Sequence, residues 1–228
     1  MVKEYWRDFL SLLFPDNCIS CNQLLVNGEE HICLVCKEQL PKTDYHKETN
    51  PILRRKFDGI ISVEYTLAYL RYTRQSVTQR LLSALKYKNQ PEIGTLLGKW
   101  YGAELRKEYQ VFDLIVPVPL HEKRQTLRGY NQSEFIALGL AKSLKTPVDT
   151  QSLLRINETV TQTQKSREHR RESMKDVFKV RANHQLSNRH VLLVDDVITT
   201  GATLEVCIQV LLEAGVGKVS ICALADAY

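Results

Sequence analysis

Two adjacent acids, Asp195 and Asp196, end an apolar run in the stretch VLLVDDVITTGAT, residues 191 to 203, and a hydroxyl-rich turn follows them. Ionised carboxylates only accept hydrogen bonds, which suits two neighbouring hydroxyls of a sugar such as ribose. Backbone N–H groups from Thr199 to Thr203 would wrap a phosphate at the start of the next helix, where the helix dipole favours negative charge. The hydroxyls of Thr199, Thr200 and Thr203 add donors, and Gly201 permits close backbone approach or a positive φ. One turn would then bind both phosphate and diol, a phosphosugar site running through Val194, Asp195, Asp196, Val197, Ile198, Thr199, Thr200, Gly201, Ala202 and Thr203.

Two other chemistries compete for the same residues. An acid-ended strand also holds magnesium in P-loop ATPases, but those need GxxxxGK[ST], and GTLLGKW has one residue too few before Gly98-Lys99 and a Trp after it. An ordinary helix cap explains Thr203 or one Asp, not two acids beside a run of hydroxyls.

The second chemical cluster is CISCNQLLVNGEEHICLVC, in which Cys18-x-x-Cys21 and Cys33-x-x-Cys36 are separated by eleven residues. Each Cys-x-x-Cys turn aims two thiolates at one centre, and two turns complete a closed tetrahedral structural zinc site. Two disulfides are the alternative, and they need an oxidising compartment that the N-terminus does not signal. His31 is a bystander beside four sufficient thiols, while Cys207 and Cys222 lie in apolar surroundings and are expected in the core.

The elements that must position these residues alternate. IISVEYT and LAYLRYT suggest paired strands, and VTQRLLSALKY and GTLLGKWYGAELRKEY suggest amphipathic helices. DLIVPVP is a strand, HEKRQTLRGY a turn, and NQSEFIALGLAKSL a helix with a capping-box spacing at Asn131 and Glu134. A weaker strand lies near Leu153. NETVTQTQKSREHRRESMKD is then either a lid, a disordered arm or a solvated helix. HVLLVDD, the TTGAT turn, a helix ended by Gly215 and the strand KVSICALA close the chain. The expected fold is α/β, a mainly parallel sheet flanked by helices, with ligands beyond the carboxyl ends of its strands. Residues 1–50 would form an N-terminal amphipathic helix and a cysteine module, residues 51–228 the larger domain, with a linker from Pro41 to Lys56.

The 228-residue chain has 43% hydrophobic and 25% charged residues, the composition of an ordinary globular protein. A net charge of +5 permits a phosphate-bearing partner without requiring one. No stretch is long and apolar enough to cross a bilayer, so membrane insertion is not expected, and the chain is read as cytoplasmic.

VLLVDDVITTGAT resembles the phosphoribosyl pyrophosphate motif of type I phosphoribosyltransferases in every position. FDLIVPVPLHEKRQTLRGYNQSE and LRINETVTQTQKSREHRRESMKDVFKV resemble the VPVPLH...R...RGFNQ and R...T..Q..L...R...N...AF patterns of the ComF family. Those competence-associated proteins join a four-cysteine zinc finger to a phosphoribosyltransferase domain, and the resemblance spans nearly the whole chain. It departs where Lys165 or Ser166 replaces an apolar residue and where Ser173 or Met174 stands near the usual Asn.

The resemblance implies a type I phosphoribosyltransferase fold that binds phosphoribosyl pyrophosphate with Mg2+, pyrophosphate leaving C1 through an oxocarbenium-like state. Asp195 and Asp196 would hold the ribose hydroxyls, and Arg128, Gly129 and Tyr130 resemble the pyrophosphate turn of adenine phosphoribosyltransferases. Arg124 and Arg128 can donate planar forks to phosphate. Arg167 and Arg170 would close as a lid, and Lys86 is a helix-end cation that could reach phosphate. Asp195, Asp196 and Arg128 are the catalytic candidates, with structural Zn2+ on Cys18, Cys21, Cys33 and Cys36. No stretch identifies an acceptor. Three functions follow: a phosphoribosyltransferase, a sensor that binds the phosphosugar without turnover, or a DNA-uptake component that touches single-stranded DNA beside a helicase-like ATPase.

Overall fold

A computed structural model of the chain describes residues 16–48, 52–109, 111–156, 177–181 and 186–227. Among the described residues six strands form, β1 (Thr66–Arg71), β2 (Leu114–Pro117), β3 (Leu153–Arg155), β4 (Phe178–Val180), β5 (His190–Ile198) and β6 (Lys218–Asp226). The helices are α1 (Leu34–Glu38), α2 (Val77–Tyr87), α3 (Glu92–Glu108), α4 (Glu122–Arg128), α5 (Gln132–Leu144) and α6 (Ala202–Glu213). Strands β1, β6, β5 and β2 lie side by side in that order, all parallel, while β3 and β4 form a separate antiparallel pair.

Alternation along the buried strands sends side chains to two cores. Leu192 and Val194 of β5 face a core built with Leu81, Leu85, Leu97, Tyr101, Ile136 and Leu140 from α2, α3 and α5. Val191 and Leu193 face the opposite core, with Leu204, Ile208 and Leu211 of α6. Cys222 joins the first and Cys207 the second, both fully buried, as the sequence suggested.

Helices α3 and α5 cross unusually closely, and glycines allow it. A Cβ on Gly139 would lie 2.3 Å from Thr95 O, and one on Gly98 would lie 2.4 Å from Ile136 O. The missing side chains let the backbones touch, and this seats the N-terminus of α5 against the end of β5.

Several expectations need correction. Ile60 to Tyr65 forms no strand, although Glu64 N and Tyr65 O already bond β6, so β1 stands without the paired strand expected from IISVEYT. HEKRQTLRGY carries the helix α4, and its His121 ring accepts from Lys123 N as an N-cap. Asn131 caps α5 by accepting from Ser133 N, one position earlier than a capping box requires. The polar stretch from Pro41 to Lys56 is no free linker: Tyr45 and Leu53 are buried, and Thr43 N bonds Tyr69 O alongside β1. The N-terminal helix, the lid stretch with Arg167 and Arg170, and a boundary at residue 50 lie outside the described residues.

Among the described residues no helix is long and apolar enough to cross a membrane. The cysteine module packs into the helix-side core through Cys18, Ile32, Cys33, Cys36 and Leu40, and Arg80 of α2 donates to Ser20 Oγ at 3.0 Å.

Candidate functional site

Strand β5 runs past its partner β2, carrying Asp195 and Asp196 beyond the Pro117–Val194 pair. Adjacent strand residues point in opposite directions, so different elements meet the two acids. Ser133, in the first turn of α5, donates its hydroxyl to Asp195 Oδ1 at 3.1 Å, and the Asp196 amide donates to the same oxygen at 2.8 Å. Lys86, in the last turn of α2, places Nζ 2.9 Å from Asp196 Oδ1. Burial, reinforced by the neighbouring Asp196 charge, pushes the Asp195 carboxyl up to about 7.

The chain after Ile198 turns through exposed Thr199 and Thr200 into Gly201, which takes φ +84° as the N-cap of α6. No side chain caps this helix at Gly201, so the amide-rich end of a twelve-residue helix is presented to the turn. A cavity of about 40 Å³ lies there, lined by Asp195 and residues 197–204. Gly201 is needed for two reasons. Its φ is left-handed, and an added Cβ would come within 3.0 Å of the Phe57 ring that supports the turn from below.

The loop after β2 lies at the same end of the sheet. Val118 N bonds Val194 O, and Asn131 Nδ2 bonds Val118 O at 3.0 Å, tying loop, strand and helix together. Arg128 ends α4, with Gly129 at φ +81° behind it. Its guanidinium donates to Gln132 Oε1 at 2.9 Å and lies 5.4 Å over the ring of Tyr87, itself 73% exposed. Arg124 is on the exposed surface of α4. Tyr130 is buried, edge-on to Phe135, with its hydroxyl donating to Leu85 O. Its side chain is spent on packing.

The fold thus brings Asp195, Asp196 and the Thr199–Thr203 turn together, with the Arg128 turn on the neighbouring strand's loop. It adds Ser133, Tyr87 and Phe57, none of which the sequence singled out. Ser133 had one signal, its place in the first turn of a helix following a strand. Tyr87 and Phe57 had none, because their roles depend on contacts far along the chain. Lys86 reaches the site, but its partner is an acid.

In the cysteine module, the Sγ atoms of Cys18, Cys21, Cys33 and Cys36 all lie within 4.8 Å of one another. Cys21 and Cys33 are 3.7 Å apart, close to the roughly 3.8 Å edge of a tetrahedron with Zn–S bonds of about 2.3 Å. The donors fit a zinc ion, and His31 is outside the group.

The model of the phosphoribosyl transferase domain family matches residues 134–227, which carry α5, β5, the turn, α6 and β6. Together with the mainly parallel sheet flanked by helices, that gives the chain a phosphoribosyltransferase-type fold. The chain is 33% identical to Competence protein F of Haemophilus influenzae over 94% of its own length and 98% of that protein. It therefore belongs to the ComF family of competence proteins. It is also 28% identical to Competence protein ComFC of Bacillus subtilis, covering 92% of this chain and 84% of that one. To DNA utilization protein YhgH of Escherichia coli K12 it is likewise 28% identical, over 92% and 96%. Among solved structures, purine phosphoribosyltransferase from Pyrococcus horikoshii superposes with TM-score 0.38 and 22% identity, over 58% of this chain and 73% of that one.

Proposed function

We propose that the chain binds phosphoribosyl pyrophosphate, or a closely related phosphosugar, at the end of β5, and does so in the service of DNA uptake. The observation that supports the phosphosugar most directly is the conjunction of paired acids with a helix N-terminus that only the Thr200 hydroxyl, 3.4 Å from Ala202 N, reaches from the turn between them. The 5′-phosphate is held by residues 199 to 203, whose N–H groups and hydroxyls all donate. The 2′- and 3′-hydroxyls of ribose donate to Asp195 and Asp196, and Ser133 holds the Asp195 carboxylate in place. Lys86 pairs with Asp196 Oδ1 and leaves its second oxygen for the sugar. The pyrophosphate lies towards the Arg128–Tyr130 turn, with Arg128 donating a planar fork and Arg124 at the rim.

Mg2+ fits this end of the sheet because carboxylate and hydroxyl oxygens are the hard donors it prefers. Held by the Asp195 and Asp196 carboxylates together with the ligand's own oxygens, Mg2+ would supply neutralising charge to the pyrophosphate. Asp195 and Asp196 stabilise positive charge developing on the ribose ring, and Arg128 stabilises the departing anion. The four cysteines hold Zn2+ as a structural ion that folds residues 18–36. Support for a role in DNA uptake comes from the family and from relatives named for competence and DNA utilization. Contacts with single-stranded DNA and a helicase-like ATPase belong to the same proposal, as does a division into a module of residues 1–50 and a domain of 51–228.

Calorimetry of the zinc-loaded chain with phosphoribosyl pyrophosphate and Mg2+ tests the site. Wild type should bind, and Asp195→Asn with Asp196→Asn should lose at least ~10-fold in affinity, as expected for removing charge-assisted hydrogen bonds. Folded wild type that shows no heat and no competition by phosphate would reject the reading. Pyrophosphate release across a panel of acceptors then separates a transferase from a sensor that binds without turnover.

A further inference from the structure

We propose that Asp44, His46 and Glu104 form a second metal site, for a divalent transition ion such as Zn2+ or Mn2+, separate from the four cysteines. One ligand atom from each of the three lies within 4.8 Å of the other two. Asp44 and His46 come from the segment that joins the cysteine module to β1, and Glu104 comes from α3. An ion there would fasten that segment to the helix layer.

The imidazole is the observation that calls for a ligand. The His46 side chain is only 3% exposed, its Nδ1 is buried without a hydrogen-bond partner, and its Nε2 faces Glu104 Oε2 at 3.9 Å. That distance is too long for a hydrogen bond and suits two groups that share a small ion between them. Neither ring nitrogen has a hydrogen bond among the described residues, and an ion at Nε2 would complete the nitrogen that faces the acids, while Nδ1 is left for a water on the other side of the ring. The ring is held in place, with its edge to Tyr101 at a centroid distance of 5.6 Å and its carbonyl accepting from Tyr109 Oη at 2.8 Å.

Both carboxylates keep one oxygen free for the ion. Lys42 bonds Glu104 Oε1 at 2.7 Å, leaving Oε2 on the imidazole side, and Lys47 bonds Asp44 Oδ1 at 2.8 Å, leaving Oδ2. The lysine side chains are 43% and 61% exposed, so each can swing into water when an ion neutralises the acids. One imidazole with two carboxylates is a borderline donor set that suits first-row divalent ions. Three protein ligands leave at least one coordination position open, unlike the closed four-thiolate site.

Metal content of the full-length chain, dialysed with Zn2+ and then against metal-free buffer, decides the matter. Wild type should retain two equivalents, His46→Ala one, and Cys18→Ser with Cys21→Ser one. In the cobalt-substituted protein, His46→Ala should keep the thiolate-to-cobalt absorption while losing the second equivalent. Glu104→Gln and Asp44→Asn, which preserve size and helix, guard against a His46 variant that fails to fold, and each should weaken the second ion at least tenfold. One equivalent in wild type, or a second equivalent unchanged in both carboxylate variants, would overturn the proposal and leave an ion-pair network only.

Discussion

Replacing Asp195 by Asn should make the protein more stable at alkaline pH while removing a ligand contact. In the folded chain burial and the Asp196 charge push the Asp195 carboxyl from 3.8 up to about 7. Folded protein therefore keeps a proton that the unfolded chain releases above pH ~4. Stability falls as pH rises through this window, and the whole penalty is present above the folded value. A gap of about three pH units at 1.36 kcal/mol each sets an upper bound of ~4 kcal/mol. Solvent reaches this half-buried carboxyl, so about 2 kcal/mol is the better expectation, or roughly 5 °C in melting temperature for a chain of this size. Asn still accepts from Ser133 and the Asp196 amide. Urea denaturation of wild type and Asp195→Asn at pH 5 and pH 8 provides the comparison, and the difference between the curves removes other titrations. The advantage of the variant should widen by about 1–2 kcal/mol from pH 5 to pH 8. A gap that does not change with pH, or a variant less stable at pH 8, would refute the account of a buried and repelled carboxylate.

Three further outcomes follow from the packing. Gly139→Ala places a Cβ 2.3 Å from Thr95 O and 2.8 Å from Lys99 N, both backbone atoms that cannot rotate away, so thermal melts should show a loss of about 2–3 kcal/mol. Gly201→Ala must hold φ +84° against the Phe57 ring 3.0 Å away, costing about 1–3 kcal/mol in urea titrations and weakening phosphosugar binding in calorimetry. Chelation should open the cysteine module first, because structural zinc contributes on the order of 10 kcal/mol in peptides of this size. Limited proteolysis should then cut within residues 18–36 while the circular dichroism of the parallel sheet persists; a protease-resistant module after metal removal would count against a structural ion.

The legible features were local. Apolar runs of β5 and β6, the helical periodicity of α2, α3 and α5, and the turn from Thr199 to Thr203 are each written in consecutive residues, and each formed as expected. The illegible ones depended on distant partners. HEKRQTLRGY was polar without an apolar stripe, and α4 indeed buries none of its residues, so periodicity could not reveal it. IISVEYT had strand composition, but β1 took the edge of β6, and the preceding residues formed no strand of their own, although Glu64 N and Tyr65 O already bond β6.

Types and spacing alone determined that two acids and a phosphate turn share one strand end, that four thiols form two knuckles, and that strands alternate with helices. These are short-range properties, fixed by backbone periodicity and by what each side chain can donate or accept. The tertiary structure alone decided which groups tune those acids. Ser133 reaches Asp195 across 62 residues, Lys86 reaches Asp196 across 110, and Phe57 supports Gly201 from just past the stretch read as a linker. Burial and proximity set the charge state of Asp195, and neither is a property of any stretch of sequence, because both arise only when separate elements exclude water together.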